Sequence, residues 1–156
     1  MSHPSHSTSP DTPAAAADDP PMSVWLTGAA GFIGRVLSRR LRADRSLRLL
    51  TPSRAQLDLT DQDAVDRFIA RERPQVVLHL AARTAGSTAM RREPTRFLMA
   101  NLDAAAPLLR AVERGRIPRV IVAGSAGEYP RLAAIGEAPR ALRPDDVWRG
   151  PPAAGG

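Results

Sequence analysis

Three glycines, Gly28, Gly31 and Gly34, follow an apolar run and precede a helix-type pattern at the spacing GxxGxxG. Gly28 permits a sharp chain reversal, Gly31 allows backbone N–H groups to approach a pyrophosphate, and Gly34 allows the helix to pack closely on the strand. A phosphate held there lies at a helix N-terminus, where unpaired N–H groups and the helix dipole favour negative charge. The pattern therefore predicts a dinucleotide-binding turn, with a purely structural turn as the alternative.

Two further polar side chains fall where apolar ones are expected. Asn101 shares a predicted helix face with Phe97, Ala105 and Leu108, and an unpaired buried amide costs about 1 to 3 kcal/mol. Asn101 therefore needs a partner, either structural or in an active site. His79 interrupts an apolar strand, and we interpret it as a hydrogen-bonded core residue rather than a catalyst. Because the other two histidines lie near the N-terminus, no metal site is predicted.

Strands and helices alternate around these residues. Strands are predicted at 24–26, 47–50, 75–82 and 119–123, and helices at 32–43, 60–73 and 94–114, with residues 83–93 as loop and Thr60 as the N-cap of the second helix. This alternation predicts an α/β fold, a doubly wound parallel sheet with strand order 3-2-1-4. The ligand crevice would lie beyond the carboxyl ends of strands 1 and 4.

The two ends of the chain are polar or rich in proline, glycine and alanine. We predict a disordered tail at residues 1–22, a folded domain at 23–146 and an irregular tail at 147–156. The first residues do not resemble a signal peptide, and no run of roughly eighteen apolar residues occurs, so we expect a cytoplasmic protein without membrane contact. The absence of cysteine excludes disulfides and thiolate catalysis.

The formal net charge is +6, which by itself would suggest a nucleic-acid partner. However, all 22 basic residues are arginines spread along the chain among acidic residues, and aromatic residues make up 4% of the chain. The composition therefore offers few stacking platforms, and we do not expect nucleic-acid binding.

Five short motifs appear in a fixed order between residues 23 and 146: TGAAGFIG, DLTD, LHLAA, AN and VAGSAGEYP. Together they resemble the extended short-chain dehydrogenase/reductases, the NAD(P)-dependent epimerase/dehydratase family that acts on nucleotide sugars and has a Rossmann-like fold. The segments SRAQLDLTD, ARTAG and GEYP are most similar to the GDP-L-fucose synthase branch of that family.

The resemblance implies which residues contact an NAD(P) coenzyme besides the glycines. By this resemblance, Ala30, Phe32 and Ile33 contact the pyrophosphate. Asp58 and Leu59 flank the adenine, and Leu80, Ala81 and Ala82 line the nicotinamide-side ribose. Arg54 matches the arginine that binds the adenosine 2′-phosphate. An NAD-preferring site usually has an acid about twenty residues past the turn, which the residues 50–52 do not supply, so NADP is favoured over NAD. The alternative is that Arg54 is one more solvated arginine.

The resemblance also implies two catalytic residues, Ser125 and Asn101. Ser125 matches the serine that hydrogen-bonds the substrate oxygen and stabilises the charge that develops during hydride transfer. A serine chosen for its turn chemistry is the alternative. The implied substrate is a nucleotide sugar, and a homo-oligomer or a partner subunit is possible.

The sequence departs from the family pattern at the acid/base pair, Tyr-x-x-x-Lys. No lysine occurs in the chain, and the one tyrosine, Tyr129, matches a loop residue. The sequence therefore resembles a member truncated at its C-terminal side, with an incomplete sheet and no activity by itself. The alternatives are a non-catalytic dinucleotide-binding or regulatory module that joins another subunit through an exposed sheet edge, and a degenerate gene product that does not fold.

Overall fold

The computed structural model describes residues 20–84, 86–125 and 128–150. Its strands and helices are β1 (Met22–Thr27), α1 (Phe32–Arg42), β2 (Leu47–Leu50), α2 (Gln62–Glu72), β3 (Val76–His79), α3 (Ser87–Arg92), α4 (Pro94–Glu113) and β4 (Arg119–Val122). Short 3-10 helices follow at Leu132–Ile135 and at Pro144–Trp148.

The four strands form one parallel sheet in the order β2-β1-β3-β4. The fold class is the predicted doubly wound α/β sheet of the Rossmann type, but the predicted order 3-2-1-4 is wrong. The burial of the strands explains the difference: Val76 and Val77 of β3 are buried, whereas β2 is only half-buried and carries the exposed Arg48. β3 therefore needs a strand on each side, and β2 can stand at an edge.

β2 lies on one side of β1, and β3 and β4 lie on the other, so the order in which strands are added to the sheet reverses between the neighbours β1 and β3. In parallel α/β sheets a ligand crevice opens where strand order reverses, outside the carboxyl ends of the strands. The crevice therefore lies at the ends of β1 and β3, not of strands 1 and 4 as predicted. The predicted strand 75–82 is too long: β3 covers Val76–His79, and residues 80–82 continue as irregular chain.

The main core lies between the sheet and the pair α2 and α4. Trp25 of β1 is fully buried, and its ring centroid lies 4.7 Å from that of Phe68 of α2. Val77, Leu108 and Ile117 complete the centre of this layer. The crossover from β1 to β2 and the crossover from β2 to β3 run in opposite directions along the sheet. Because both are right-handed, α1 packs on the face of the sheet opposite to α2.

Two local predictions are wrong. Residues 83–93, expected as loop, contain the short helix α3. The N-cap of α2 is Asp61, whose side chain accepts a 2.9 Å hydrogen bond from Ala64 N–H, and not Thr60. Thr60 instead donates its N–H and its hydroxyl to Asp58, so the helix begins one residue later.

Most of the two predicted tails, residues 1–19 and 151–156, falls outside the described residues. β1 begins at Met22, one residue before the predicted start of the domain, and Trp148 ends a 3-10 helix within the predicted C-terminal tail. Across the residues that the structure describes, no helix combines the length and the apolar character needed to cross a membrane.

Candidate functional site

The glycine turn leads directly from β1 into α1. Gly28 has a positive φ of 71°, and Gly31 N–H donates to Gly28 C=O at 2.9 Å, which closes the turn. Gly31 is the N-cap of α1, so no side chain caps the helix and no acidic residue lies in its first turn. The first N–H groups of α1 are therefore available to an anion from outside the helix.

Two of the three glycines are required by close backbone packing. A Cβ atom on Gly28 would lie 2.7 Å from Ala81 N, and one on Gly34 would lie 2.8 Å from Ala29 Cα and overlap the Gly28 carbonyl oxygen. No side chain fits at either place. The turn is thus packed directly against the chain that follows β3.

A cavity of about 1030 Å³ opens beside this turn, bounded by the loop after β2, the segment after β3 and one face of α4. Most of the predicted coenzyme residues and one predicted catalytic residue line it: Gly28, Ala30, Gly31, Arg54, Asp58, Leu59, Leu80, Ala81, Ala82 and Asn101. The structure therefore brings together residues from four separate motifs. The volume of the cavity is at the upper end of the range found for pockets that bind small molecules, about 300 to 1,000 Å³.

The other four predicted residues do not line the cavity. The side chains of Phe32 and Ile33 are 84% and 60% exposed, so any contribution to an anion site would come from their N–H groups. Gly34 is buried where α1 meets the turn. Ser125 is exposed in the loop after β4. Coenzyme or catalytic roles for these four residues stay predictions.

Arginines dominate the charge of the cavity wall. Three of them, Arg35, Arg39 and Arg42, extend along one side of α1, and Arg54 and Arg83 come from loops. Two aspartates, Asp58 and Asp103, also line the cavity, so its cationic side chains outnumber its anionic ones by five to two. A wall of this composition favours an anionic ligand such as a phosphate ester.

The sequence places the arginines of α1 on the polar face of that helix, but we interpreted the basic residues as dispersed along the chain and did not assign these arginines to the site. The signal was present in their spacing. Arg35, Arg39 and Arg42 are separated by four and three residues, so they form one helical stripe that begins directly after the last glycine of the turn. The stripe is anchored at its far end, where Arg42 donates to Thr51 Oγ1 at 2.9 Å.

Asp58 is held in its charged form at the cavity wall. Its Oδ1 accepts the Thr60 N–H and the Thr60 hydroxyl, each at 2.9 Å. These hydrogen bonds, the backbone one first, keep the pKa of Asp58 below its usual range, and the charge of Arg54 acts in the same direction. Asp58 therefore carries its negative charge at neutral pH beside the predicted adenine site.

Asn101 is bound to the main chain of the segment after β3. Its Oδ1 accepts from Arg83 N–H at 2.6 Å, and its Nδ2 donates to Arg83 C=O at 3.2 Å. The expectation that Asn101 has a partner is confirmed, and that partner is backbone. The amide ties α4 to the cavity wall, and a catalytic role for it stays a prediction.

The loop that carries Ser125 is closed by Glu128. Ser125 N–H donates to Glu128 Oε1 at 2.9 Å, and Glu128 N–H donates to Ser125 C=O at 3.1 Å. Ala126 and Gly127 between them lie outside the described residues. These two hydrogen bonds fix the main chain of Ser125 relative to Glu128.

His79 is a buried, hydrogen-bonded residue, as the sequence predicts. Its Nδ1 lies 2.9 Å from Thr27 Oγ1 on the neighbouring strand. Burial lowers the pKa of His79 below its ordinary value, which keeps the ring neutral. Over the described part of the chain, no cluster of three or more histidine, aspartate or glutamate side chains is placed to hold a metal ion.

Comparison with known proteins supplies the family. The family model described as "NAD dependent epimerase/dehydratase family" matches residues 24–147. The chain is 32% identical over 138 residues to a putative GDP-L-fucose synthase 2 of Oryza sativa, covering 88% of this chain and 38% of that protein. It is 31% identical over 111 residues to a GDP-L-fucose synthase of Sinorhizobium fredii, covering 71% and 35%.

The fold is shared with solved structures. A GDP-D-glycero-L-gluco-heptose synthase from Campylobacter jejuni, determined in the presence of NADPH, superposes with a TM-score of 0.68 at 22% identity, over 83% of this chain and 36% of that one. A GDP-L-fucose synthetase from Naegleria fowleri bound to NADP gives 0.63 at 19% identity, over 87% and 40%.

The chain spans 35% and 38% of the length of the two relatives compared above. The residues that the family model matches, 24–147, include the glycine turn, the residues that line the cavity and nearly all of the four parallel strands. This match covers well over half of the chain, and the chain therefore belongs to the NAD dependent epimerase/dehydratase family.

Proposed function

We propose that this chain is the NADP(H)-binding portion of a nucleotide-sugar reductase or epimerase, and that by itself it binds the coenzyme without turning over a sugar. The observation that carries the proposal is the position of the glycine turn, which opens onto a cavity walled by arginines. A bound nicotinamide coenzyme would supply or accept a hydride at a keto or hydroxyl carbon of the sugar.

The residues of the cavity fit such a coenzyme. The uncapped N-terminus of α1 offers N–H groups to the pyrophosphate, and the two tightly packed glycines leave no side chain in its way. Arg54 lies at the cavity wall, while Thr51 and Pro52, which follow β2, supply no carboxylate to bind ribose hydroxyls. This combination favours a 2′-phosphate, and thus NADP, over NAD.

The substrate class comes from the relatives. The curated relatives cited above are GDP-L-fucose synthases by name, so a GDP-linked sugar is the first substrate to test. In this proposal Ser125 hydrogen-bonds the sugar oxygen and stabilises the charge that develops on it. Asn101 keeps the segment after β3 in place beside the nicotinamide.

The proposal includes no turnover because the sequence lacks the pair of residues that the family pattern uses for proton transfer. The family pattern uses Tyr-x-x-x-Lys, in which the lysine charge lowers the pKa of the tyrosine. The sequence contains no lysine, and its tyrosine, Tyr129, belongs to the loop of Ser125. Proton exchange with the sugar oxygen would thus need residues that this chain does not supply.

A second candidate is a non-catalytic module that joins another subunit through its sheet. The outer strand β4 favours it, because Ile121 and Val122 are 52% and 59% exposed. Such a module would bind coenzyme with the same cavity, so binding alone does not separate the two candidates. Restoration of hydride transfer by a polypeptide that supplies the tyrosine and lysine would separate them.

The test is a titration with NADPH and NADH. Trp25 is fully buried and borders the cavity, whereas Trp148 is 87% exposed, so a Trp148→Phe variant isolates the signal of Trp25. We expect quenching of Trp25 by NADPH in the micromolar range, weaker quenching by NADH, and no hydride transfer to a GDP-linked keto sugar. Absence of heat and of quenching with both coenzymes, on cooperatively folded protein, would refute the proposal.

A further inference from the structure

The floor of the cavity contains a junction between two segments, Thr27–Gly28 and Leu80–Ala81. Gly28 lies so close to the second of these segments that an added Cβ would lie 2.7 Å from Ala81 N. Thr27 Oγ1 accepts a hydrogen bond from the same Ala81 N–H at 3.2 Å. The hydroxyl of Thr27 therefore fixes how the glycine turn meets the segment after β3.

The hydrogen atoms at this junction can be assigned by counting donors. Thr27 is 2% exposed, so its hydroxyl must use its single proton within the protein. Because its oxygen already accepts from Ala81, the proton points to His79 Nδ1, 2.9 Å away. His79 Nδ1 must then be unprotonated, and the ring proton must be on Nε2. The opposite tautomer would leave the threonine proton without an acceptor.

The main chain of His79 extends the same connection to β4. His79 C=O accepts from Ala123 N–H at 3.4 Å, two residues before Ser125. His79 thus contacts the carboxyl end of β1 through its ring and the carboxyl end of β4 through its carbonyl group. Those strand ends carry the glycine turn and the serine loop.

We infer that His79, as the neutral tautomer protonated at Nε2, is a positioning residue that orients the Thr27 hydroxyl and so holds the coenzyme turn against Ala81. His79 does not line the cavity, and it acts on the ligand through Thr27. The part of this inference that concerns coenzyme affinity rests on the proposed function. The tautomer and the hydrogen bond do not.

The first measurement reads the tautomer directly. In ¹⁵N-labelled protein near neutral pH, we expect the ring of His79 to show an unprotonated Nδ1 and a protonated Nε2. The His79→Asn variant identifies its signals among those of His3 and His6. A protonated Nδ1 in the folded protein would overturn the inference, whatever the coenzyme does.

The second measurement compares matched variants for NADPH affinity and for stability. Thr27→Val removes the hydroxyl at nearly equal side-chain volume. His79→Gln moves the hydrogen-bond acceptor from the Nδ1 position to the Nε2 position. Each variant should weaken NADPH binding by roughly tenfold. Thr27→Ser and His79→Asn keep the hydroxyl and an acceptor at the Nδ1 position, so they should bind within about twofold of the parent. Thr95→Val, at an exposed site in the first turn of α4, is the control for the loss of a hydroxyl.

The pattern of affinities decides between positioning and simple support of the fold. If affinity follows only the free energy of unfolding across the four variants, or if Thr27→Val binds NADPH like the parent, positioning is refuted. A parent protein that binds no coenzyme refutes the proposed function and this use of the junction together. The tautomer measurement still decides the hydrogen-bond assignment in that case.

Discussion

The side-chain amide of Asn101 binds both polar groups of the Arg83 main chain, at 2.6 Å to the N–H and at 3.2 Å to the C=O. In a sheet, a neighbouring strand would satisfy these groups. Here β3 has already ended, and a side chain from α4 takes over that role. The position of the cavity wall at Arg83 therefore depends on one helical residue.

Replacement of Asn101 should loosen this wall. Asn101→Leu removes both hydrogen bonds, so we expect a loss of about 1 to 2 kcal/mol in the free energy of unfolding. Asn101→Asp keeps an acceptor for Arg83 N–H but places a carboxylate oxygen against Arg83 C=O, so its NADPH affinity should fall as well. Urea titration and calorimetry measure the two effects. Equal stability of the parent and Asn101→Leu would contradict the assigned role.

Gly34→Ala should be among the most damaging small substitutions in the chain. The new Cβ would overlap the Gly28 carbonyl oxygen, which is backbone and cannot move aside alone. We expect a destabilisation of about 3 kcal/mol and loss of NADPH binding. Gly86→Ala is the matched control, because nothing lies within 4 Å of its Cβ position. Similar melting temperatures for the two variants would show that the turn is less tightly packed than described.

Arg54 should determine the choice between the two coenzymes. Arg54→Gln removes a charge-assisted contact to the 2′-phosphate, so the Kd for NADPH should rise by about tenfold while that for NADH stays unchanged. Arg45→Gln changes the net charge equally, but Arg45 precedes β2 at the opposite end of the sheet. An equal effect of the two variants would indicate a general electrostatic contribution in place of a specific contact.

His79 should make the protein less stable in mild acid. Burial lowers its pKa in the folded state, so the unfolded chain takes up the proton first as the pH falls. The contribution to stability is complete above the ordinary pKa of about 6.5 and is lost as the pH falls through the lower folded value, with a slope of at most about 1.4 kcal/mol per pH unit. Urea titrations between pH 7 and 5 should show a smaller slope for His79→Asn. An unchanged slope would exclude His79 as the titrating group.

Asp146 should hold the segment after β4 together. It is 3% exposed and binds both terminal nitrogens of Arg140, at 2.7 Å and 2.9 Å, and the Arg143 N–H at 2.7 Å. The Arg140 contact, followed by the Arg143 N–H, lowers the pKa of Asp146 far below its usual range, so its contribution persists until strong acid. Asp146→Asn should therefore speed hydrogen exchange at Arg143 N–H near neutral pH. The neighbouring Asp145→Asn, at an exposed site, should not.

The periodicity of the sequence predicted the element types well and their arrangement less well. Apolar runs located the four strands, and the glycine turn placed β1 and α1 correctly because close packing leaves no other residue type possible at Gly28 and Gly34. The side of β1 on which β3 pairs was not predictable from motif order, because it depends on how deeply each strand is buried. α3 was missed because its six residues, STAMRR, contain one large apolar side chain and thus no apolar period.

The residues of the candidate site were predictable where they belong to a recognisable sequence motif. Gly28, Asp58 and Ala81 come from three motifs far apart in sequence, and they meet at one cavity. The arginine stripe of α1 was not assigned to the site, because the same helical spacing is typical of a solvent-facing helix surface. The bond between Thr27 and His79 depends on strand register, which the sequence does not state.

The outer strand β4 also leads us to expect contacts between molecules in concentrated solution. Its free amide and carbonyl groups can hydrogen-bond with the same strand of another molecule, and that contact would cover the bare side chains of Ile121 and Val122. Such pairing is bimolecular, and the charge of Arg119 at the start of the strand opposes it. Since salt screens this repulsion, we expect self-association through β4 to increase with both protein concentration and ionic strength.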